Sequence, residues 1–310
     1  MKHLLEQWGQ ELRDAEVTPL RTGVWQISVA GEVFILKRRS NRSRVWAEYD
    51  LINWLIVHEQ PVSPLLYTTK EVPWAEYDGS FYILYPYLQG TPGDELNHYD
   101  QSFAWTVGAA LACLHQNLAS YGATEEFPGF DVFQEVASFA WPTVQGYLGP
   151  SFRHRLQDLE QGISRNLINP YEALPRQLIH RDFHPGNLIF SDGSLVGILD
   201  FDRVRVGIRL YDLCYLATAV LSQDFGDLKG RDSWFIFVQS LIEGYGSVQP
   251  LTQTEGVSFL YVVYLTQFLF IAYQLDAGNT ALADLNIAML LWINDQHEFL
   301  EPLIIKTIGS

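Results

Sequence analysis

The chain has 310 residues, of which 48% are hydrophobic, enough for a two-lobed enzyme or two modest domains with buried interiors. Its 20 basic against 36 acidic residues leave a formal net charge of −16, which argues against nucleic acid as a partner, because phosphate binding needs clustered Lys and Arg. The same charge is compatible with a cationic ligand. From about residue 17 to residue 88 the pattern favours strands around one helix. Val24-Trp25-Gln26-Ile27-Ser28-Val29 and Val33-Phe34-Ile35-Leu36 flank a hairpin turn at Ala30-Gly31-Glu32. Residues 43–58 then place Val45, Leu51, Ile52 and Leu55 at helical spacing, and Pro61 and Pro64 end the run. Residues 64–69 and 81–85 read as two further strands, with a turn at Asp78-Gly79 between them.

Beyond Gly90-Thr91-Pro92-Gly93 the character changes to long helices, expected over 102–119, 152–166, 210–222, 233–245, 255–275 and 280–299. A strand-rich insert, 177–201, sits among them. The implied fold is α+β, with a small strand-rich lobe over 1–88 and a large, mostly helical lobe over 89–310. Segment 257–275 approaches the length of a membrane span. It contains Ser258, Thr266, Gln267 and Gln274, and no Lys or Arg flanks it, so a buried helix and no membrane partner are expected. The start, MKHLLEQWGQELRDAE, lacks the continuous apolar stretch of a signal peptide. Cys113 and Cys214 lie inside apolar helical runs without metal spacing, so a reducing, cytoplasmic setting is expected. The oligomeric state stays open.

The densest polar cluster is Leu178-Ile179-His180-Arg181-Asp182-Phe183-His184-Pro185-Gly186-Asn187-Leu188-Ile189-Phe190. Apolar flanks read as short buried strands, and Pro185-Gly186 turns the chain between them, gathering Asp182, His184 and Asn187 at one loop. A second apolar strand over 195–199 delivers Asp200 and Asp202. Two carboxylates and an amide carbonyl are hard oxygen donors of the kind magnesium selects. Phosphoryl transfer needs one carboxylate to take the proton of the attacking hydroxyl, and an amide and a second carboxylate to hold the metal. The five-residue step from Asp182 to Asn187 equals that of the kinase loop H-R-D-x-x-x-x-N, and Asp200-Phe201-Asp202 stands where kinases carry D-F-G. Singly, these residue types fill turns. The spacing between apolar strands carries the reading.

HRDFHPGN followed by GILDFDRVRVGIRLYDL resembles the aminoglycoside phosphotransferase/choline kinase family, which has a protein-kinase-like fold. The resemblance implies that Asp182 is the catalytic base, that Asn187 and Asp200 are the magnesium ligands, and that Asp212 is a structural aspartate at the start of the next helix. It implies ATP and Mg2+ as cofactors and places nucleotide binding in the small lobe. Lys37, ending Phe34-Ile35-Leu36-Lys37 much as in the kinase V-A-I-K, is expected on the phosphates, with Glu48 as its ion-pair partner. A phosphate-covering loop is expected around Arg21-Thr22-Gly23-Val24-Trp25, although its single glycine departs from G-x-G-x-x-G. By the resemblance, the Pro86 carbonyl and the Leu88 amide would bond the adenine edge.

After Asp202 the chain passes within a few residues into Arg209-Leu210-Tyr211-Asp212, leaving no room for the activation segment of a protein kinase. A small-molecule hydroxyl follows as the acceptor: an aminoglycoside, choline or another amino alcohol, homoserine or a sugar. Trp234, Tyr261, Tyr264, Tyr273 and Trp292 are candidate walls of its pocket, with Asp276, Asp284 and Asp295 as charge partners for an amine. The same aromatics would equally serve as the core of a helical lobe. The competing reading is a non-catalytic binding or structural protein of the same fold.

Overall fold

In the first unit, the alternation over Val24–Val29 and Glu32–Arg39 folds as a hairpin whose turn residues, Ala30 and Gly31, both take positive φ (50° and 87°). Such turns match the twist of paired strands, and glycine meets the demand at no steric cost. This computed structural model describes residues 1–98 and 100–309. They divide into two compact units: Met1–Gly93 with Tyr121–Phe127 and Asn187–Asp202, and Asp94–Ser120 with Pro128–Gly186 and Arg203–Ser310.

The first unit is built on an antiparallel sheet in the order Glu16–Arg21, Val24–Val29, Glu32–Arg39, Ser80–Pro86, Ala75–Tyr77. One face buries Ile27, Leu36, Tyr82 and Leu84 against Leu4, Leu5, Trp8 and Leu12. Leu36 is fully buried, so truncating it to alanine should cost about 2–5 kcal/mol. The helix Arg42–Val57 starts where the Asn41 side chain accepts from the Ser43 N–H (2.9 Å), and it buries Val45, Leu51, Ile52 and Leu55. Residues 64–69 do not form the expected strand. Pro64 has no N–H for a ladder, and Thr68 turns back to bond Val72. The strand joined through Asp78-Gly79 is instead Ala75–Tyr77.

The later segment of this unit is a second hairpin, Leu188–Ser191 with Ser194–Ile198, extended by the pair Thr91–Pro92. A Cβ on Gly197 would lie 2.6 Å from Leu88 Cδ1. The absence of a side chain there lets Leu88 pack directly on the strand that leads to Asp200.

The second unit is mainly helical. Gln101–Ser120 and Leu228–Val248 cross with their backbones nearly touching, since a Cβ on Gly108 would lie 2.2 Å from the Leu241 carbonyl oxygen. Gln253–Asp276 is long and apolar enough by composition to cross a bilayer, but 78% of its most apolar window is buried. Its start is a capping box between Thr252 and Glu255, and Glu255 also forks onto Arg209 with two 2.7 Å bonds. The expected helix over 280–299 is two, Thr280–Asp295 and His297–Ile308, and the break turns His297 Nδ1 to the Tyr264 hydroxyl (2.9 Å). Helix Pro150–Glu172 outruns its expected 152–166, with Pro170 reached only in the last turn. A run the sequence did not announce, Val132–Glu135, a π-turn Val136–Ala140 and Trp141–Tyr147, precedes it. Arg176–Ile179 pairs antiparallel with Arg205–Ile208 and leads into the loop that bears Asp182.

Candidate active site

The first unit holds Lys37, Glu48, Pro86, Leu88, Asn187 and Asp200; the second holds Asp182. Each group is described within its own unit.

In the hairpin of the first unit, Leu188 pairs with Ile198, and the Leu199 N–H donates to the Asn187 carbonyl at 2.9 Å. That extra rung brings Asn187 and Asp200 to the same end of the ladder. Asp200 takes φ +64°, a left-handed conformation unusual for a residue with a side chain, of the kind that collects at functional sites. Its carboxylate accepts from Lys37 Nζ and from the Arg21 guanidinium. Burial alone would raise its pKa, but the Lys37 ammonium and then the Arg21 guanidinium outweigh it and hold the carboxyl at about 2.

Glu48 does not take Lys37 as its partner. Its two oxygens accept from Arg39 Nε and Nη2, each at 2.9 Å, and it also accepts from the Tyr85 hydroxyl at 2.6 Å. The reason lies in the strand period: Lys37 and Arg39 share one face of Glu32–Arg39, and the planar guanidinium matches a carboxylate with two parallel bonds. Burial and the Glu48 charge push the Tyr85 phenol well up, while Glu48 holds Arg39 cationic against burial. Asp202 also lies in this unit, and burial raises its pKa against the pull of Arg39.

Pro86 ends strand Ser80–Pro86 opposite Phe34, and its carbonyl receives a long bond from Ser63 Oγ (3.4 Å). The next N–H, of Tyr87, is spent on the Val33 carbonyl at 3.0 Å. Leu88 is half-buried, its side chain on Gly197.

Among the described residues, no cluster of three or more His, Cys, Asp or Glu side chains is arranged to hold a metal ion. Asn187 and Asp200 instead offer one amide and one ionised carboxylate. This donor set fits magnesium, which is held by one or two carboxylates and completes its octahedron with water and phosphate oxygens.

In the second unit, the loop after Arg176–Ile179 is fastened from beneath. The fully buried Asp212 accepts from the backbone N–H of His180 (2.7 Å) and of Arg181 (2.8 Å). It also meets His115 Nε2 at 3.1 Å, and His115 Nδ1 meets the Tyr245 hydroxyl at 2.9 Å. Arg181, at φ +65°, sends its guanidinium over the Phe130 ring and onto Glu135 (3.3 Å) and the Tyr273 hydroxyl (3.2 Å). Asp182 is half-buried, and its Oδ1 accepts from the Tyr215 hydroxyl at 2.6 Å. Burial and the Asp182 charge push the Tyr215 phenol up, so Tyr215 stays a donor. The sequence reading missed Tyr215. The available signal was its position three residues after Asp212, on the same face of helix Leu210–Asp224.

The candidate pocket aromatics separate. Trp234 is core, its indole N–H bonded to the Ala217 carbonyl at 2.7 Å; Tyr261 and Tyr264 are buried, and Trp292 stacks on Phe235. Only Tyr273 joins the loop that bears Asp182, through Arg181. Asp284 and Asp295 make exposed contacts with Tyr147 and Arg155, and Asp276 ends its helix at the surface.

The model of the phosphotransferase enzyme family (APH) matches residues 22–248. The homoserine kinase of Gluconacetobacter diazotrophicus is 31% identical over 158 residues, covering 48% of this chain and 44% of that protein. The homoserine kinase of Gluconobacter oxydans is 26% identical over 170 residues, covering 53% and 50%. The chain thus spans about half the length of these curated relatives. Among solved structures, the microcompartment-associated aminopropanol kinase superposes with a TM-score of 0.73 at 18% identity, covering 97% of this chain and 98% of that one. Amicoumacin kinase hAmiN, in complex with AMP-PNP, Ca2+ and Ami, gives 0.70 at 17% identity, covering 93% and 90%. At such identities these two likenesses bear on the fold alone.

Proposed function

Because the chain belongs to the phosphotransferase enzyme family, whose model matches residues 22–248, we propose that it is a small-molecule kinase that moves the γ-phosphoryl group of ATP to an alcohol. The observation that carries the proposal is the end of the second hairpin, where the rung between Leu199 and Asn187 sets Asn187 beside Asp200 and Lys37 pairs with the Asp200 carboxylate. Asn187 and Asp200 hold Mg2+, which supplies charge neutralisation on the phosphate oxygens. Lys37 and Arg21 bring cationic charge to the same place, suited to β- and γ-phosphate oxygens. Glu48 acts indirectly, by fixing Arg39 on the strand face it shares with Lys37 and Tyr85 on the neighbouring strand. The Pro86 carbonyl and Leu88 amide serve the adenine edge.

Asp182 takes the proton of the acceptor hydroxyl as the hydroxyl oxygen attacks the γ-phosphorus and the bond to the β,γ-bridging oxygen breaks, releasing ADP. The hydrogen bond from Tyr215 to Oδ1 fixes the orientation of the carboxylate that takes that proton. The loop 182–187 is the covalent tether that ties this proton acceptor to the phosphate-binding residues. The homoserine kinases and the aminopropanol kinase among the similar proteins make hydroxylated amines the first acceptors to examine. Aminoglycosides and sugars come next, and the protein works in the cytoplasm.

The test is ATP consumption with Mg2+ across homoserine, amino alcohols, aminoglycosides and sugars, with Asp182→Ala as the background. Turnover on one acceptor class that vanishes in the variant supports the reading. Equal turnover by wild type and variant on the best acceptor would refute it.

A further inference from the structure

Helix Pro150–Glu172 presents Glu160, Ile163 and Ser164 on one face, and they border a cavity of about 250 Å³ in the second unit. Its other walls are Phe133, Trp141 beside the π-turn Val136–Ala140, and Leu265 and Phe268 of helix Gln253–Asp276. Trp141 and Phe268 meet edge to face with centroids 5.5 Å apart. Among the described residues no Lys, Arg or His pairs with Glu160, which accepts a long 3.4 Å bond from Ser164 Oγ. A half-buried carboxylate among three aromatic side chains is thus left without the cation that would offset its partial desolvation.

We propose that this cavity is a binding site for a small organic ammonium ion. Aromatic faces attract a cation through their quadrupole, more strongly when water is excluded, and the Glu160 carboxylate adds direct charge complementarity. A phosphate or carboxylate ligand would face Glu160 with no counter-charge, and an uncharged apolar ligand would leave it unpaired. The volume lies just below the usual range of ligand pockets, which suits a small alkylammonium rather than a large polycation. The π-turn at the wall is a second mark, because such insertions in helices often accompany functional sites. It begins directly after Glu135, which holds Arg181 beside Asp182, so one short segment borders both the cavity and the partner of the catalytic loop.

The proposal does not depend on phosphoryl transfer and is tested without nucleotide. Tetramethylammonium chloride is titrated calorimetrically into the whole protein, with sodium chloride correcting for ionic strength and tert-butanol as an uncharged match of similar shape. The expected result is saturable binding of the ammonium, at least about tenfold tighter than tert-butanol, weakened about tenfold in Glu160→Gln and several-fold in Trp141→Leu. Unfolding midpoints of both variants show that they fold, and either variant alone carries the test if the other does not. Equal affinity of the wild type and both variants, or equal binding of tert-butanol, overturns the proposal. Failure to find any phosphoryl acceptor leaves this result untouched.

Discussion

Asp200 and Asp182 are the two carboxylates on which the proposed chemistry turns, and their surroundings differ in kind. Asp200 sits between an ammonium and a guanidinium, which keep it ionised far below neutral pH. Asp182 has a phenol on one oxygen and a loop pinned by a buried aspartate behind it. The first arrangement suits a fixed negative charge that holds a cation. The second orients a carboxylate through a neutral donor, as suits a proton acceptor. The proposed roles follow that contrast, charge partners around Asp200 and a phenol donor on Asp182.

The comparison breaks most severely at Lys37. Lys37→Met removes one of the two cations on Asp200 and the one proposed for the phosphates, so kcat/KM for ATP should fall about a hundredfold or more, measured by steady-state kinetics. Arg39→Met leaves the Glu48 carboxylate buried without its cation, and unfolding in urea should show a loss of about 3 kcal/mol. Tyr215→Phe keeps the ring packing and removes only the hydroxyl bonded to Asp182. It should lower kcat about tenfold, with the KM for ATP unchanged.

The smallest effect is in acid. Since the Asp200 pKa in the fold, about 2, lies below its ordinary 3.8, its ion pairs add stability above about pH 4, and that contribution disappears as pH falls through 2. The gap in unfolding midpoint between wild type and Asp200→Asn should therefore narrow from pH 4 to pH 2. A constant gap would mean that the cations do not set the charge of Asp200.

Periodicity made the local order legible. The hairpin around Ala30-Gly31, the helix after Asn41 and the strands flanking 182–187 all follow from alternation, capping and turn chemistry. What stayed hidden depended on side chains distant in sequence or on irregular backbone. The partner of Glu48 is decided by which of two cations on one strand face offers the better fork, and spacing alone favoured Lys37 as much as Arg39. Helix Val132–Glu135 and its neighbours were masked because a π-turn shifts the apolar register and Pro142 mimics a break. Tyr215 was one more aromatic in an apolar helix, and only the fold brings its hydroxyl to Asp182. Of the aromatics weighed both as pocket walls and as core, most are core, as the bulk of such residues must be in a helical unit.

The central claim is the division of labour between the two carboxylates, and calorimetric titration of Mg·ATP into wild type, Asp182→Ala and Asp200→Ala tests it most directly, beside turnover on the best acceptor. The account predicts that Asp182→Ala binds Mg·ATP as wild type does yet transfers at least about a thousandfold more slowly, while Asp200→Ala loses the magnesium-dependent part of binding. Wild-type turnover by Asp182→Ala, or unchanged magnesium-dependent binding by Asp200→Ala, would contradict it.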